Sequence, residues 1–327
     1  MKQNLAGHRL PNYTNEAAQD ALFHYTTANG LLGILQGGEL WSTAYHCVND
    51  QSELSEARGT IRHIVRKHTS TMIENGDAKV DALRRKGVDI RDQADRFEDL
   101  VVAHALNALS VYMTCFCRPT GKEEFLHGLL SQWRGYGSDG GYAIQFNAKR
   151  LKAEIERANS DHDTSYDLQD ICYHADNPFK DEVLRHEQSY IESYEKHLDD
   201  VVNFRLEQPR LRSPITDLPG GPLEAVIDYL VNTKSSHFSE ENECRLSVVE
   251  PASAGRGSLS VEYLNREGLV VPFTKTPSDC KVVDCIDWVV VGPSPNIEQR
   301  FRSISQMVKK MGLDIKVRPS HIPYMPR

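Results

Sequence analysis

The sequence predicts an α+β protein: one mixed-sheet core carrying large helical insertions. Short apolar runs of strand length are spread over the chain, at 21–27, 110–117, 141–146 and 286–292. Between them lie long polar stretches of helical periodicity, at about 52–110 and 148–235. Strands and helices do not alternate strictly, which disfavours a doubly wound parallel sheet. Residues 1–20 read as an N-terminal extension and 21–327 as a single catalytic-like domain.

Each element follows from its residues. ALFHYTT (21–27) is a strand; ANGLLGILQGG supplies a short apolar helix face with Gly37-Gly38 as its stop, and ELWST (39–43) is the next strand. The stretches 52–75 and 89–110 read as amphipathic helices interrupted at Gly76-Asp77 and Gly87. SVYMTCFC (110–117) is a buried strand, and 123–137 a helix ending in glycine. GYAIQF (141–146) is a strand after which Asn147 caps a charged helix reaching about Ala158. A short strand is expected near 170–173, an acidic helix over 180–206, and a Pro- and Gly-rich loop at 213–222. A helix over 223–235 leads into HFSEENECRLSVVE, whose second half alternates as a strand. VVPF (270–273), IDWVVVG (286–292), a helix over 296–313 stopped by Gly312, and IKV (315–317) complete the chain.

Composition bounds what such a protein does. The 327 residues, 39% hydrophobic and 26% charged, are ample for a buried core. The net charge of -8 builds in no global attraction to nucleic acid or anionic lipid. Local basic stretches at Arg58–Lys67 and Arg300–Lys316 leave a nucleic-acid contact open; the simpler reading is a solvated face. The mean hydropathy is -0.50 and no apolar run approaches the roughly 18–20 residues of a membrane span, so no membrane partner is expected. The N-terminus lacks a signal-peptide apolar stretch, and seven cysteines without a Cys-x-x-Cys pair read as reduced thiols, which together suggest the cytoplasm.

No metal site is expected: the histidines do not cluster with Cys or carboxylates at ligand spacing, and Asp161-His162-Asp163 reads as a polar loop. Gly135, Gly137 and Gly140 spell G-x-G-x-x-G, but a helix precedes them and a strand follows, the reverse of a dinucleotide fold. Three constellations remain. His24-x-Thr26 sits at a strand–helix junction, where it either bonds a ligand hydroxyl or simply packs. Trp133-Arg134-Gly135-Tyr136 is either a stacking surface or an aromatic core plug. Glu241, Glu243 and Arg245 recur at i, i+2 entering a strand, so they share a face, either as acid–base machinery or as a surface ion-pair stripe.

Taken together, FHYTT…GLLGIL…ELW…VNDQSE, SQWRGYG…GYAIQF, F-x-x-E-x-E-x-R and VVVGP…SHIPY resemble a bacterial family known as a domain of unknown function, over about Leu22 to Tyr324. More remotely, the opening strand–His-x-Thr–helix–Gly–strand resembles ADP-ribosyltransferases, including the DNA-modifying toxin type. That resemblance implies an ADP-ribosyltransferase-like sheet, NAD as co-substrate, no metal, and transfer of ADP-ribose to nucleic acid or protein by a toxin or anti-phage effector. It implies catalytic roles for Glu243, Glu241 and His24, with His24 holding the ribose and Thr26 buttressing it. It further implies a cofactor-binding set of His24, Tyr25, Thr26, Trp41, Trp133, Arg134, Tyr136 and Arg245, with Tyr136 as the preferred nicotinamide-stacking ring and Trp133, Tyr112 and Trp41 as the alternatives. The alternatives are an NAD hydrolase, an RNA-phosphate-processing enzyme of related fold, and a non-enzymatic ligand sensor.

Overall fold

A computed structural model of the chain describes residues 11–47, 53–136, 140–159, 164–173, 177–203, 220–251, 259–266 and 268–323. The short helix α1 (Asn15–Gln19) leads into β1 (Ala21–Thr26). Helix α2 (Ala28–Gly37) starts on the Thr27 hydroxyl, which accepts from the Gly30 N–H, and ends at left-handed Gly38. Strand β2 (Trp41–Ala44) follows. The first insertion divides into α3 (Glu53–Glu74), α4 (Ala78–Arg85) and α5 (Ile90–Ala108), then β3 (Leu109–Cys117).

Where a single helix is expected over 123–137, two short ones form, α6 (Lys122–His127) and α7 (Leu130–Tyr136). The break is Gly128, at φ 80°, where a Cβ would come within 2.8 Å of the Trp133 indole. A residue without a side chain is needed both for that dihedral and for that approach. β4 (Tyr142–Asn147) runs directly into α8 (Ala148–Asn159), and the Asn147 side chain accepts from the Arg150 N–H as expected.

Strand β5 (Ser165–Asp170) lies a few residues before its expected place. The acidic helix is likewise two, α9 (Pro178–Arg185) and α10 (Glu187–Asn203), parted at His186. Helix α11 (Gly220–Asn232), a 3-10 turn at Ser236–Glu241 and β6 (Glu243–Pro251) follow. The Pro- and Gly-rich loop and Asp161-His162-Asp163 fall outside the described residues, save for 220–222, which open α11. A hairpin of β7 (Val261–Arg266) and β8 (Leu269–Lys275) contains the expected VVPF strand and one more. β9 (Ile286–Val291), α12 (Ile297–Met311) and β10 (Lys316–Pro319) close the fold.

The strands make one mixed sheet, antiparallel except for β9–β10 among the described pairs. It branches at β3. One edge of β3 pairs with β6 along its whole length, and β6 carries β5 beyond it. The other edge is shared end to end: β1 pairs at Cys117, and β2 at Met113 and Tyr112. From that edge two wings diverge, β1–β4–β9–β10 and β2–β8–β7. Helix α2 bridges the fork. A Cβ on Gly30 would meet the Thr26 Oγ1 at 2.0 Å, and one on Gly33 the Trp41 ring at 3.1 Å, so these glycines let α2 lie on both strand ends.

Alternation along β1 divides the interior. Leu22 joins the core under α2, α8 and α12, with Phe116 and Leu246. Phe23 and Tyr25 point the opposite way, against Cys117, Phe125 and Trp133. Beside that second core, Val111 and Met113 meet a helical layer built from α3, α4, α5, α9, α10 and α11. The two insertions are thus one packed unit, while α8 and β5 belong to the sheet. Among the described residues no helix is long and apolar enough to cross a membrane.

Candidate functional site

The start of β6 gathers four charged side chains, Lys234, Glu241, Glu243 and Arg245. Lys234 follows α11, and the 3-10 turn folds the chain back so that Glu241 returns beside it. Asn242 makes the turn with a left-handed φ of 42°, a conformation asparagine tolerates better than most residues. Its carbonyl accepts from the Arg118 N–H at 2.9 Å, which ties the turn to the end of β3.

Lys234 Nζ donates to Glu241 Oε2 at 2.8 Å and to Glu243 Oε2 at 3.1 Å. Arg245 grips Glu243 from the other side, Nε to Oε1 at 2.8 Å and Nη2 to Oε2 at 3.2 Å, and its Nη1 donates to the Val231 carbonyl. The Glu243 N–H donates to the Tyr173 hydroxyl at 2.9 Å. Two carboxylates face two cations, so the charge balances. Burial by itself would raise the Glu243 pKa; Arg245 and Lys234 outweigh it and hold the carboxyl at about 2. The Lys234 ammonium is pushed down by burial but raised, on balance, by Glu243 and Glu241. The Cys115 thiol lies against Glu243, and burial together with that carboxylate keeps it protonated.

Depth distinguishes the two glutamates. The Glu243 side chain is 3% exposed, whereas Glu241 is 21% exposed and reaches the surface. At that mouth stand two exposed rings. Phe238 lies under Lys234, its centroid 4.9 Å from Nζ, and Tyr136 is within electrostatic reach of Cys115, Glu241, Glu243 and Lys234. The Tyr136 phenol is raised, first by partial loss of water at its hydroxyl and then by Glu241 and Glu243 among its neighbours, with Lys234 opposing.

The structure therefore brings Glu241, Glu243, Arg245 and Tyr136 together. It does not bring His24 to them. Cys117 stands directly opposite Glu243, so the two share a face, and Tyr25 lies on it too. His24, one residue away from Tyr25, projects to the other face, its ring 5.7 Å from that of Phe116. Its Nδ1 lies 3.0 Å from the Cys115 carbonyl, which can only accept, so Nδ1 carries the proton. Burial lowers the His24 pKa, partly opposed by that hydrogen bond, and leaves the ring neutral with Nε2 as an acceptor.

The remaining expected residues are dispersed. Trp133 is not available to stack on a ligand: it is 1% exposed, sits edge-on to Tyr25 at 5.0 Å, and donates its indole N–H to the His127 carbonyl. The Tyr25 hydroxyl accepts from the Leu129 N–H, so Tyr25 is a core residue as well. Trp41 stacks on Phe273, 4.8 Å between centroids, at the β2–β8 pair. Thr26 lies under Gly30, and Arg134 is exposed on α7. Lys234, Tyr173 and Cys115 carry no signal in the sequence; Lys234 becomes a partner of Glu241 because the 3-10 turn Ser236–Glu241 brings its own last residue back to it.

The expected basic face of α3 is neutralised. Arg58 pairs with Asp99, Arg62 with buried Glu98, Arg66 with Asp95 and Lys67 with Glu187. Its cations repeat along the helix because they answer acids on α5 and α10. A groove of about 410 Å³ opens elsewhere, among Asp20, Arg118, Lys149, Lys152 and Asp170, and none of the expected site residues lines it. Among the described residues no group of three or more His, Cys, Asp or Glu is placed to hold a metal ion.

The model of a family described as a protein of unknown function (DUF2971) matches residues 132–246. That span holds the WRGY and GYAIQF stretches together with Lys234, Glu241, Glu243 and Arg245, and leaves His24, Trp41 and the SHIPY stretch outside. Neither the curated proteins nor the solved structures compared with the chain include a match.

Proposed function

We propose that the mouth formed by Glu241, Tyr136 and Phe238 receives the nicotinamide-ribose end of NAD, and that the protein transfers ADP-ribose to a macromolecule. One observation carries the reading: a carboxylate that reaches solvent is anchored from below by a buried ion cluster and flanked by exposed aromatic rings. Cleaving the glycosidic bond sends its electron pair to nicotinamide and leaves an oxocarbenium-like ribose. Glu241 stabilises that cation, and an acceptor nucleophile then attacks it and gives up its proton. Tyr136 stacks on the planar leaving group.

In this reading the roles expected of the two glutamates divide. Glu241 touches substrate, whereas Glu243 is a positioning residue that holds Lys234 and Arg245. His24 acts on the site only through the Cys115 peptide. The fork between the wings supports an ADP-ribosyltransferase-like sheet, and the acceptor is nucleic acid or protein.

Incubating the protein with labelled NAD and separated nucleic-acid and protein fractions tests the proposal. Label on a macromolecule, lost in Glu241→Gln, is the expected result and identifies the acceptor. Free ADP-ribose without labelled acceptor would replace transfer by hydrolysis. The balanced charge of the cluster favours, as a second reading, a sensor that binds NAD without turnover. Absence of NAD binding to the folded protein would remove both.

A further inference from the structure

The outermost strand of the second wing, β7, ends the sheet, and no partner covers its outer edge among the described residues. Proline and bulges, two of the usual protections of an edge, are absent from it; its charges are Glu262 and Arg266, one of each sign. It contains no proline, pairs with β8 in unbroken register from Val261 to Arg266, and brings exposed apolar groups with it. Tyr263 is 68% exposed, Val270 68% and Leu269 56%. Tyr263 and Val270 stand on the same face of the hairpin, since Tyr263 faces Pro272 and Val270 faces Asn265.

The sequence of this strand, Val261-Glu262-Tyr263-Leu264-Asn265-Arg266, is self-complementary. In an antiparallel pair related by a twofold axis normal to the sheet, directly opposite residues must share a face. With the axis at Leu264, Glu262 stands opposite Arg266 of the second copy, twice over, and Tyr263 opposite Asn265. Moving the axis to Tyr263 would instead put Glu262 opposite Leu264. Both charged side chains are exposed; Glu262 also meets Lys275 at 2.7 Å, and the Arg266 Nη2 approaches the Thr43 hydroxyl at 3.3 Å.

We infer that β7 is a dimerisation edge: two copies of this chain join antiparallel through β7 about Leu264, extending the sheet from one copy into the other. The contact is isologous and closes on itself. The paired Glu262–Arg266 contacts set the register, and Tyr263 of each copy stands beside Asn265 of the other, diagonal to its own Val270.

Sedimentation of the full chain at micromolar concentrations tests this. The wild type is expected to be a dimer. Glu262→Arg and Arg266→Glu each place like charges opposite one another and weaken the dimer roughly tenfold or more. An equal mixture of the two variants restores it, because each arginine then meets a glutamate, and the double variant dimerises alone. Leu264→Cys, which keeps both charge pairs, gives a second readout: residues opposite each other at a twofold axis lie about 4.5–5.5 Å apart at Cα and form an intermolecular disulfide under oxidation. A wild type that stays monomeric, single variants that dimerise as tightly as wild type, or a Leu264→Cys chain that does not cross-link would each overturn the inference.

Discussion

His24 and Glu243 stand on opposite faces of the same sheet, with Cys115 between them: its carbonyl accepts a hydrogen bond from His24 Nδ1 at 3.0 Å, and its thiol meets the Glu243 carboxylate. The histidine at the fork therefore bonds the backbone of β3 and faces away from the glutamates.

The two glutamates respond differently to the same change. On the proposed function, Glu241→Gln is expected to lower NAD turnover about 10²–10³-fold, the range for loss of one group that stabilises transition-state charge. Its melting temperature stays near wild type, because Lys234 keeps Glu243. Glu243→Gln instead leaves Lys234 and Arg245 short of a buried counter-charge and costs about 3 kcal/mol of stability, read from the urea midpoint. Equal stability of the two variants would contradict the division between mouth and anchor.

Acid unfolding carries the signature of Glu243. Its folded pKa of about 2 lies below the ordinary 4.5, so its contribution is fully present above pH 4.5 and is lost as pH falls toward 2. Wild type is expected to lose stability over that window, and Glu243→Gln to show a flatter profile there. Parallel profiles in wild type and variant would mean the carboxyl is not held down.

The His24 ring is expected to be neutral at pH 7 and protonated on Nδ1, titrating below the ordinary 6.5. Nitrogen-15 NMR of the imidazole reads both properties directly. Because the folded ring resists protonation, stability falls as pH drops below 6.5. An Nε2-protonated tautomer would show that the Cys115 contact is not a hydrogen bond.

Gly30→Ala is expected to destabilise the fork although alanine is the better helix former by about 1 kcal/mol, because the new methyl meets the Thr26 Oγ1. Thr26→Ala in the same chain removes that atom and recovers much of the loss. Thermal melts of the two single variants and the double variant give the coupling, and strict additivity would show that the close approach is absent.

The α3 arginines separate by the depth of their partners. Arg62→Ala strands a Glu98 carboxylate that is 2% exposed, whereas Arg66→Ala releases an Asp95 already 44% exposed. The first is expected to be clearly destabilising and the second to cost at most about 1 kcal/mol. Neither changes retention on nucleic acid; a loss of retention in Arg66→Ala would restore a binding role for this face.

Much of this molecule is determined by local sequence. The apolar run 21–27, the alternation of CRLSVV and the glycines at 38 and 312 specify β1, β6 and two helix ends, because periodicity and backbone freedom act over a few residues. The i, i+2 spacing of Glu243 and Arg245 likewise places both on one face of β6, whereas Glu241 lies off the strand, in the 3-10 turn. Tertiary structure decided the rest. Trp133 is a core residue because Gly128 turns the chain against it, Lys234 is a site residue because a 3-10 turn returns Glu241 to it, and His24 faces away because β1 meets β3 at Cys117. These are matters of register and of contact between distant segments. Periodicity says which residues share a face of one strand, and only the pairing of strands says whose face that is.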